Sequence, residues 1–308
     1  MESVRQDAAL TIFEPAPRLS IDLRGEYDDA EIHLHAGGQG VWIARMARLL
    51  GASPELCGPF AGETGTVVHA LLLEEGILVR SVSANVANPA LIHRGKEADP
   101  ESVLAQSAPG PLDRHELDSL YSSVLASALR TSLCVLAGVE PSDILDADTF
   151  RRMTTDLRSA GVTVVADLAG DQMRAAAEGG VDLLKVSDEE LIEPGADVDD
   201  IRRAARDLHA LGARQVVVSR AEAGAYVLAS GGEECLLRGP TLEVVNPRGA
   251  GDAMTGALGA MLARGADRLT AIRTAVAASA LNVTRHGMAT GEPDAIARLS
   301  EEVTLERI

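Results

Sequence analysis

The chain has 308 residues, 46% of them hydrophobic, with 46 acidic against 28 basic side chains and a formal net charge of −18 at pH 7. That content is enough for one large α/β domain with a small appendage, and the acidity opposes general affinity for nucleic acid or an anionic membrane. Residues 1–9 lack the basic start and apolar core of a signal peptide and no apolar run reaches bilayer-spanning length, so a cytoplasmic protein is expected, with Cys57, Cys134 and Cys235 as reduced thiols.

In chain order, the first segment, 11–36, fits no alternation of strand and helix, although Ile32 and Leu34 alternating with Glu31, His33 and His35 suit a half-buried strand. A second such segment, 80–107, carries Pro89, Pro100 and several charges. Both are assigned to the appendage. Short apolar runs then predict strands at 133–136, 162–165, 181–184 and 215–218, and amphipathic stretches predict helices at 113–130, 148–160 and 199–211, the last two stopped by Gly161 and Gly212. This order specifies a doubly wound, mostly parallel sheet with helices on both faces. In such a sheet ligands collect beyond the carboxyl ends of the strands, which makes the loops after Leu136, Val165, Leu184 and Val218 site candidates. A further helix presents Met254, Ala257, Leu258, Met261 and Leu262 on one face and stops at Gly265; the last long one, from 267 to about 285, is expected to bury Leu269, Ile272, Val276 and Val283 and to end before Gly287. The seven histidines, His286 among them, show no catalytic spacing.

The segment Asn246-Pro247-Arg248-Gly249-Ala250-Gly251-Asp252, followed by Ala253-Met254-Thr255-Gly256, carries the strongest chemical signal. Two glycines around an alanine let backbone amides approach an anion, and the helix beginning there adds positive potential. Asp252 falls in the first helical turn, where a carboxylate can take a proton from an attacking hydroxyl while the amides hold a phosphoryl group. A tight loop with Asp252 as a plain helix cap is the competing account. The dinucleotide fingerprint would need glycine at Met254 and the P-loop would need lysine at Ala257, so neither applies.

This signature resembles that of the carbohydrate kinase family that includes ribokinase and the minor phosphofructokinases, in the form used by 1-phosphofructokinases and tagatose-6-phosphate kinases. Ala36-Gly37-Gly38-Gln39-Gly40-Val41-Trp42-Ile43-Ala44 resembles the family's N-terminal glycine loop and helix, and Gly58-Pro59-Phe60-Ala61-Gly62-Glu63-Thr64-Gly65 the loop that follows. The resemblance implies a ribokinase-like fold with a small β-sheet lid at 11–36 and 80–107, a homodimer through that lid, and ATP and Mg²⁺ as cofactors. It implies Asp252 as catalytic base, with the amides of Gly249, Ala250 and Gly251 as anion hole. Ser219, Arg220 and Gly224 fall where the family holds the ATP phosphates and ribose, and Asn282 falls beside the adenine. Lys185-Val186-Ser187-Asp188-Glu189-Glu190 resembles the family's Lys-Pro-Asn-x-x-Glu segment, so Glu190 and Ser187 are the metal-organising candidates.

The acceptor side departs from the family. Gly37, Gly38, Gln39 and Trp42 stand where Gly-Gly-Lys-Gly-x-Asn is usual, so neutral Gln39 replaces a phosphate-binding lysine. The family's sugar-binding aspartate has Ala16-Pro17-Arg18-Leu19-Ser20 as its nearest counterpart, which leaves Asp22 as the substitute through a shifted register. These changes point to an unphosphorylated sugar, a nucleoside, or a phosphosugar held by Arg18, Arg24 or Arg94. The sequence expectation is an ATP-dependent kinase of a sugar or sugar phosphate, with a non-catalytic nucleotide- or sugar-binding sensor as the rival.

Overall fold

A computed structural model describes residues 8–25, 29–94, 102–139, 144–193, 197–285 and 291–308; Pro100, His286, Gly287 and residues 1–7 lie outside them. The strands are β1 Ala9–Phe13, β2 Arg18–Arg24, β3 Glu31–Gly37, β4 Ser53–Pro59, β5 Leu78–Val82, β6 Ala90–Arg94, β7 Val103–Gln106, β8 Leu133–Ala137, β9 Thr163–Asp167, β10 Leu183–Ser187, β11 Val216–Ser219, β12 Ala225–Leu228, β13 Glu234–Arg238 and β14 Thr304–Arg307. The helices are α1 Gln39–Leu49, α2 Gly62–Glu74, α3 Arg114–Thr131, α4 Ala147–Ser159, α5 Gly170–Glu178, α6 Asp188–Leu191, α7 Val198–Leu211, α8 Ala250–Ala263, α9 Arg268–Asn282 and α10 Pro293–Glu302.

Ten strands form the central sheet in the order β14-β13-β12-β11-β10-β9-β8-β1-β4-β5, parallel from β11 to β5 and antiparallel from β11 to β14. Its strands read as apolar runs because both faces are covered. Ile12, Val135 and Val165 enter the cluster shared with α1, α8, α9 and α10, while Phe13, Cys134, Leu136, Val164 and Ala166 enter the cluster shared with α3, α4, α5 and α7. Local chemistry sets the helix ends. Asp113 and Glu116 make a reciprocal capping box on α3, Asp197 and Asp200 make another on α7, and Asp267 caps α9.

Four strands form a separate small sheet in the order β3-β2-β6-β7. It draws on narrower segments than 11–36 and 80–107: Thr11–Phe13 run inside β1 at the middle of the central sheet, and Arg80–Val82 inside β5 at its edge. The edge strand β5 is mostly exposed and therefore reads as polar, which hides it in the sequence. Two burial expectations are also corrected. β3 is a strand, but Ile32 is 66% and Leu34 43% exposed, because this edge strand's apolar face has no covering layer among the described residues. Leu269 is 42% exposed; the packed face of α9 is carried instead by Ala271, Ile272, Ala275, Val276 and Ala278, small enough to let α8 lie close.

The approach of α8 to α1 is equally tight, and Gly256 sets it: a Cβ there would lie 2.6 Å from the Ile43 carbonyl and 2.8 Å from Met46 Cβ. We expect Gly256→Val to destabilise the chain by about 1 to 3 kcal/mol, as overpacking does, read as a lower urea midpoint at unchanged m-value. An unchanged midpoint would contradict this packing.

Candidate active site

The carboxyl ends of β1, β8 and β9, the segment after β10 and the start of α8 open onto a cavity of about 1010 Å³, whose far wall is Arg18, Leu91 and Gln106 of the small sheet. The site follows from topology. The chain lays β4 and β5 on one side of β1 and β8 onward on the other, so the loops diverge there and leave a crevice.

Gly249, at φ +74°, ends the approach to α8 in a left-handed conformation, and no side chain caps the helix. The amide of Ala253 closes the first turn on the Gly249 carbonyl at 2.8 Å. The amides of Ala250, Gly251 and Asp252 have no protein partner among the described residues, so the positive end of α8 faces outward unsatisfied. The approach is braced from behind. The Val283 carbonyl accepts the amides of Val245 and Asn246 at 2.7 and 3.0 Å, and Asn282 Nδ2 donates to the Arg248 carbonyl at 2.9 Å.

Beneath this loop lies a buried ion pair, Lys185 Nζ to Asp167 Oδ1 at 3.0 Å, with exposures of only 4% and 2%. Thr255, one turn into α8, donates its hydroxyl to Asp167 Oδ2 at 2.6 Å and to the Gly251 carbonyl at 3.1 Å. A Cβ on Gly251 would meet Lys185 Nζ at 2.7 Å, so this glycine is required by the ammonium pressed against it. Burial pulls Lys185 down, but Asp167, Glu190 and Asp252 outweigh it and hold the ammonium above its ordinary pKa. Asp252 lines the cavity with no hydrogen-bond partner among the described residues. Burial, reinforced by Asp167 and opposed by Lys185, pushes its carboxyl up to about 7.

On the opposite wall, Glu14 follows β1 and turns its carboxylate onto the start of α1, accepting the amides of Ala16 at 2.9 Å and of Gly40. Burial raises it to about 7 against the pull of those amides and of Arg18. The glycine loop is shaped to this carboxylate: a Cβ on Gly38 would come within 2.8 Å, and one on Gly40 within 2.9 Å, of Glu14 Oε2. Gln39 Oε1 accepts the Gly138 amide at 2.7 Å, tying α1 to the loop after β8.

A family model described as pfkB family carbohydrate kinase matches residues 19–295. The chain belongs to that family. It is 29% identical over 258 residues to ATP-dependent 6-phosphofructokinase isozyme 2 of Escherichia coli strain K12, covering 82% of each chain. It is 26% identical over 289 residues to 1-phosphofructokinase of Rhodobacter capsulatus, covering 91% of this chain and 89% of that one. The fold matches phosphofructokinase-2 from Escherichia coli in complex with potassium at a TM-score of 0.81 and 23% identity, over 96% and 98% of the two chains. It matches Arabidopsis thaliana ribokinase complexed with ribose and ATP at 0.70 and 19%, over 96% and 99%. The doubly wound sheet with its small companion is thus the ribokinase-like fold, and the chain is an ATP-dependent sugar kinase of the pfkB family.

Of the residues expected at this kinase's site, Gly38, Gln39, Trp42, Glu190, Gly249 and Asp252 line one cavity, with Ala250 and Gly251 continuing from Gly249. Trp42 is nearly buried, with the Arg45 guanidinium 4.4 Å over its ring. Gly37 lies beside this loop, packed against Arg18. Others fall elsewhere. Asp22 is buried in the small sheet, paired with Arg24 at 2.7 Å, and does not reach the cavity wall. Ser187 and Glu190 make a reciprocal capping box on α6, with Ser187 N to Glu190 Oε2 at 2.8 Å. Ser219, Arg220 and Gly224 form the turn between β11 and β12, outside this cavity, and Gly224 is pressed on the β13 backbone. Asn282 is fully buried, its amide used on the loop rather than open to a base. Sequence reasoning missed Glu14, Asp167, Lys185, Thr255 and Gln172, the last holding Val139 through both its amide atoms at 3.3 Å.

The raised Asp252 carboxyl carries a stability cost with a defined sign. Its folded pKa of about 7 exceeds the unfolded value near 4, so its favourable contribution is complete below about pH 4 and is lost as pH rises through about 7. In thermal melts Asp252→Asn should be more stable than the parent at pH 8, with the advantage shrinking toward pH 4.5; a pH-independent difference would contradict the burial cause.

Proposed function

We propose that the chain transfers the γ-phosphoryl group of ATP to a hydroxyl of a sugar or sugar phosphate, as its 6-phosphofructokinase and 1-phosphofructokinase relatives do according to their names. The observation that carries the proposal is a single carboxylate, Asp252, facing the cavity beside three amides with no protein partner at the start of α8. Its pKa of about 7 suits a group that must be ionised to accept a proton and must release it each turnover. A carboxylate that only capped the helix would be turned back onto the amides, as Ser187 and Asp197 are on theirs.

Asp252 accepts the proton of the acceptor hydroxyl, and the amides of Gly249, Ala250 and Gly251 face the transferring group, with Lys185 supplying positive charge from below. Mg²⁺ with ATP supplies the phosphoryl group and screens its charge. Among the described residues no cluster of three or more His, Cys, Asp or Glu side chains forms a ready metal site. That fits a cation held largely through nucleotide phosphates and water, with Glu190 at the cavity edge and Ser187 beside it. Ser219, Arg220 and Gly224 offer the nucleotide's outer contacts. The small sheet is the lid, and its exposed Ile32 and Leu34 are the surface we assign to a homodimer.

Asp252→Asn should lower kcat by at least about a hundredfold, a typical general-base contribution, with ATP affinity largely retained. In the parent, kcat/KM should fall about tenfold per pH unit below 7 as Asp252 protonates. Near-normal turnover in the variant would refute Asp252 as base.

A further inference from the structure

The cavity wall carries four acids, Glu14, Asp167, Glu190 and Asp252, and two bases, Arg18 and Arg248. These charges sort by position. Arg248 precedes Gly249 on the cradle loop, and Asp167 is matched by Lys185. The half bounded by the small sheet and the glycine loop holds Glu14, Gln39 and Arg18.

Glu14 is committed there. Its oxygens take the amides of Ala16 and Gly40, so a carboxylate of the chain itself occupies the start of α1, where a ligand's anion would otherwise be drawn. Gln39 is neutral, and its carbonyl oxygen holds the Gly138 amide. Arg24 and Arg94 do not line the cavity. Arg18 is therefore the cation of this half among the described residues. Its placement is built in: it opens β2, its side chain lies over Gly37, where a Cβ would come 3.3 Å from both Cγ and Nε, and its charge acts on Glu14.

Building on the kinase reading above, we infer that Arg18 determines acceptor specificity, pairing with an anionic substituent, phosphate or carboxylate, while the reactive hydroxyl lies at Asp252. A guanidinium suits this role because its planar fork meets either anion with two parallel hydrogen bonds and stays charged at every working pH. A neutral acceptor would leave the one cation of this half without a ligand charge and gain nothing from it.

The test is equilibrium binding, which does not require turnover. The full chain, with Mg²⁺ and a non-hydrolysable ATP analogue, is titrated calorimetrically with fructose 6-phosphate, fructose 1-phosphate, tagatose 6-phosphate, gluconate and fructose. At least one anionic ligand should bind more tightly than fructose, and Arg18→Gln should weaken it about tenfold to hundredfold, the loss of a charge-assisted pair, with analogue affinity unchanged. Which ligand leads separates a phosphate partner from a carboxylate one. Arg18→Lys keeps the stem and the charge and loses only the fork, so it should weaken the same ligand by a smaller factor; it carries the test if melts show the Gln variant unfolded. Fructose binding as tightly as every anionic ligand, or anionic binding unchanged in Arg18→Gln, overturns the inference. Arg18-dependent binding without any acceptor-dependent ADP formation would instead count against the kinase reading and leave Arg18 as the anion contact.

Discussion

The site depends on one buried ion pair. Lys185 and Asp167 are brought 3.0 Å apart by neighbouring parallel strands, β10 and β9, whose register aligns the two positions directly. Two charges out of water cost several kcal/mol each, and their attraction offsets this only when further hydrogen bonds complete the geometry. Thr255 supplies one, and in doing so fixes the first turn of α8 on the strand ends. The pair thereby sets where the unsatisfied amides lie and forces residue 251 to be glycine. It also supplies the charge that limits how far Asp252 is driven upward.

The two glycine-rich loops owe their composition to neighbouring charges of this chain. Gly251 makes room for an ammonium, Gly38 and Gly40 for the Glu14 carboxylate, and Gly37 for the stem of Arg18. Each loop begins a helix without a side-chain cap. They differ in what meets the helix end: α1 is answered by Glu14 from within the fold, whereas α8 is left open. One half of the cavity is thus electrostatically closed and the other prepared for an anion.

Much of the fold was legible because strands buried on both faces are short apolar runs; β8 to β11 lie within a residue or two of 133–136, 162–165, 181–184 and 215–218. Helices with aspartate caps were equally plain, as for α3, α7 and α9. Edges were not. β5 lacks a buried face, and the apolar side of β3 is uncovered, so burial patterns mislead at both. In the site, Gly249 to Asp252 could be read because cradle and carboxylate are contiguous. Asp167, Lys185 and Glu14 come from separate strands, and only the topology unites them. One signal was present: each is a lone charge in or just after an apolar strand, as in Val164-Val165-Ala166-Asp167 and Leu183-Leu184-Lys185-Val186. A charge buried at a strand's carboxyl end is costly and calls for a reason.

A crystal structure of the chain with an ATP analogue and a bound acceptor tests the central claim most directly. The account predicts the terminal phosphate on the amides of Gly249, Ala250 and Gly251, above Lys185, with an acceptor hydroxyl within hydrogen-bonding distance of Asp252. A nucleotide phosphate seated away from the start of α8, or Asp252 turned out of the cavity with the acceptor in place, would contradict it.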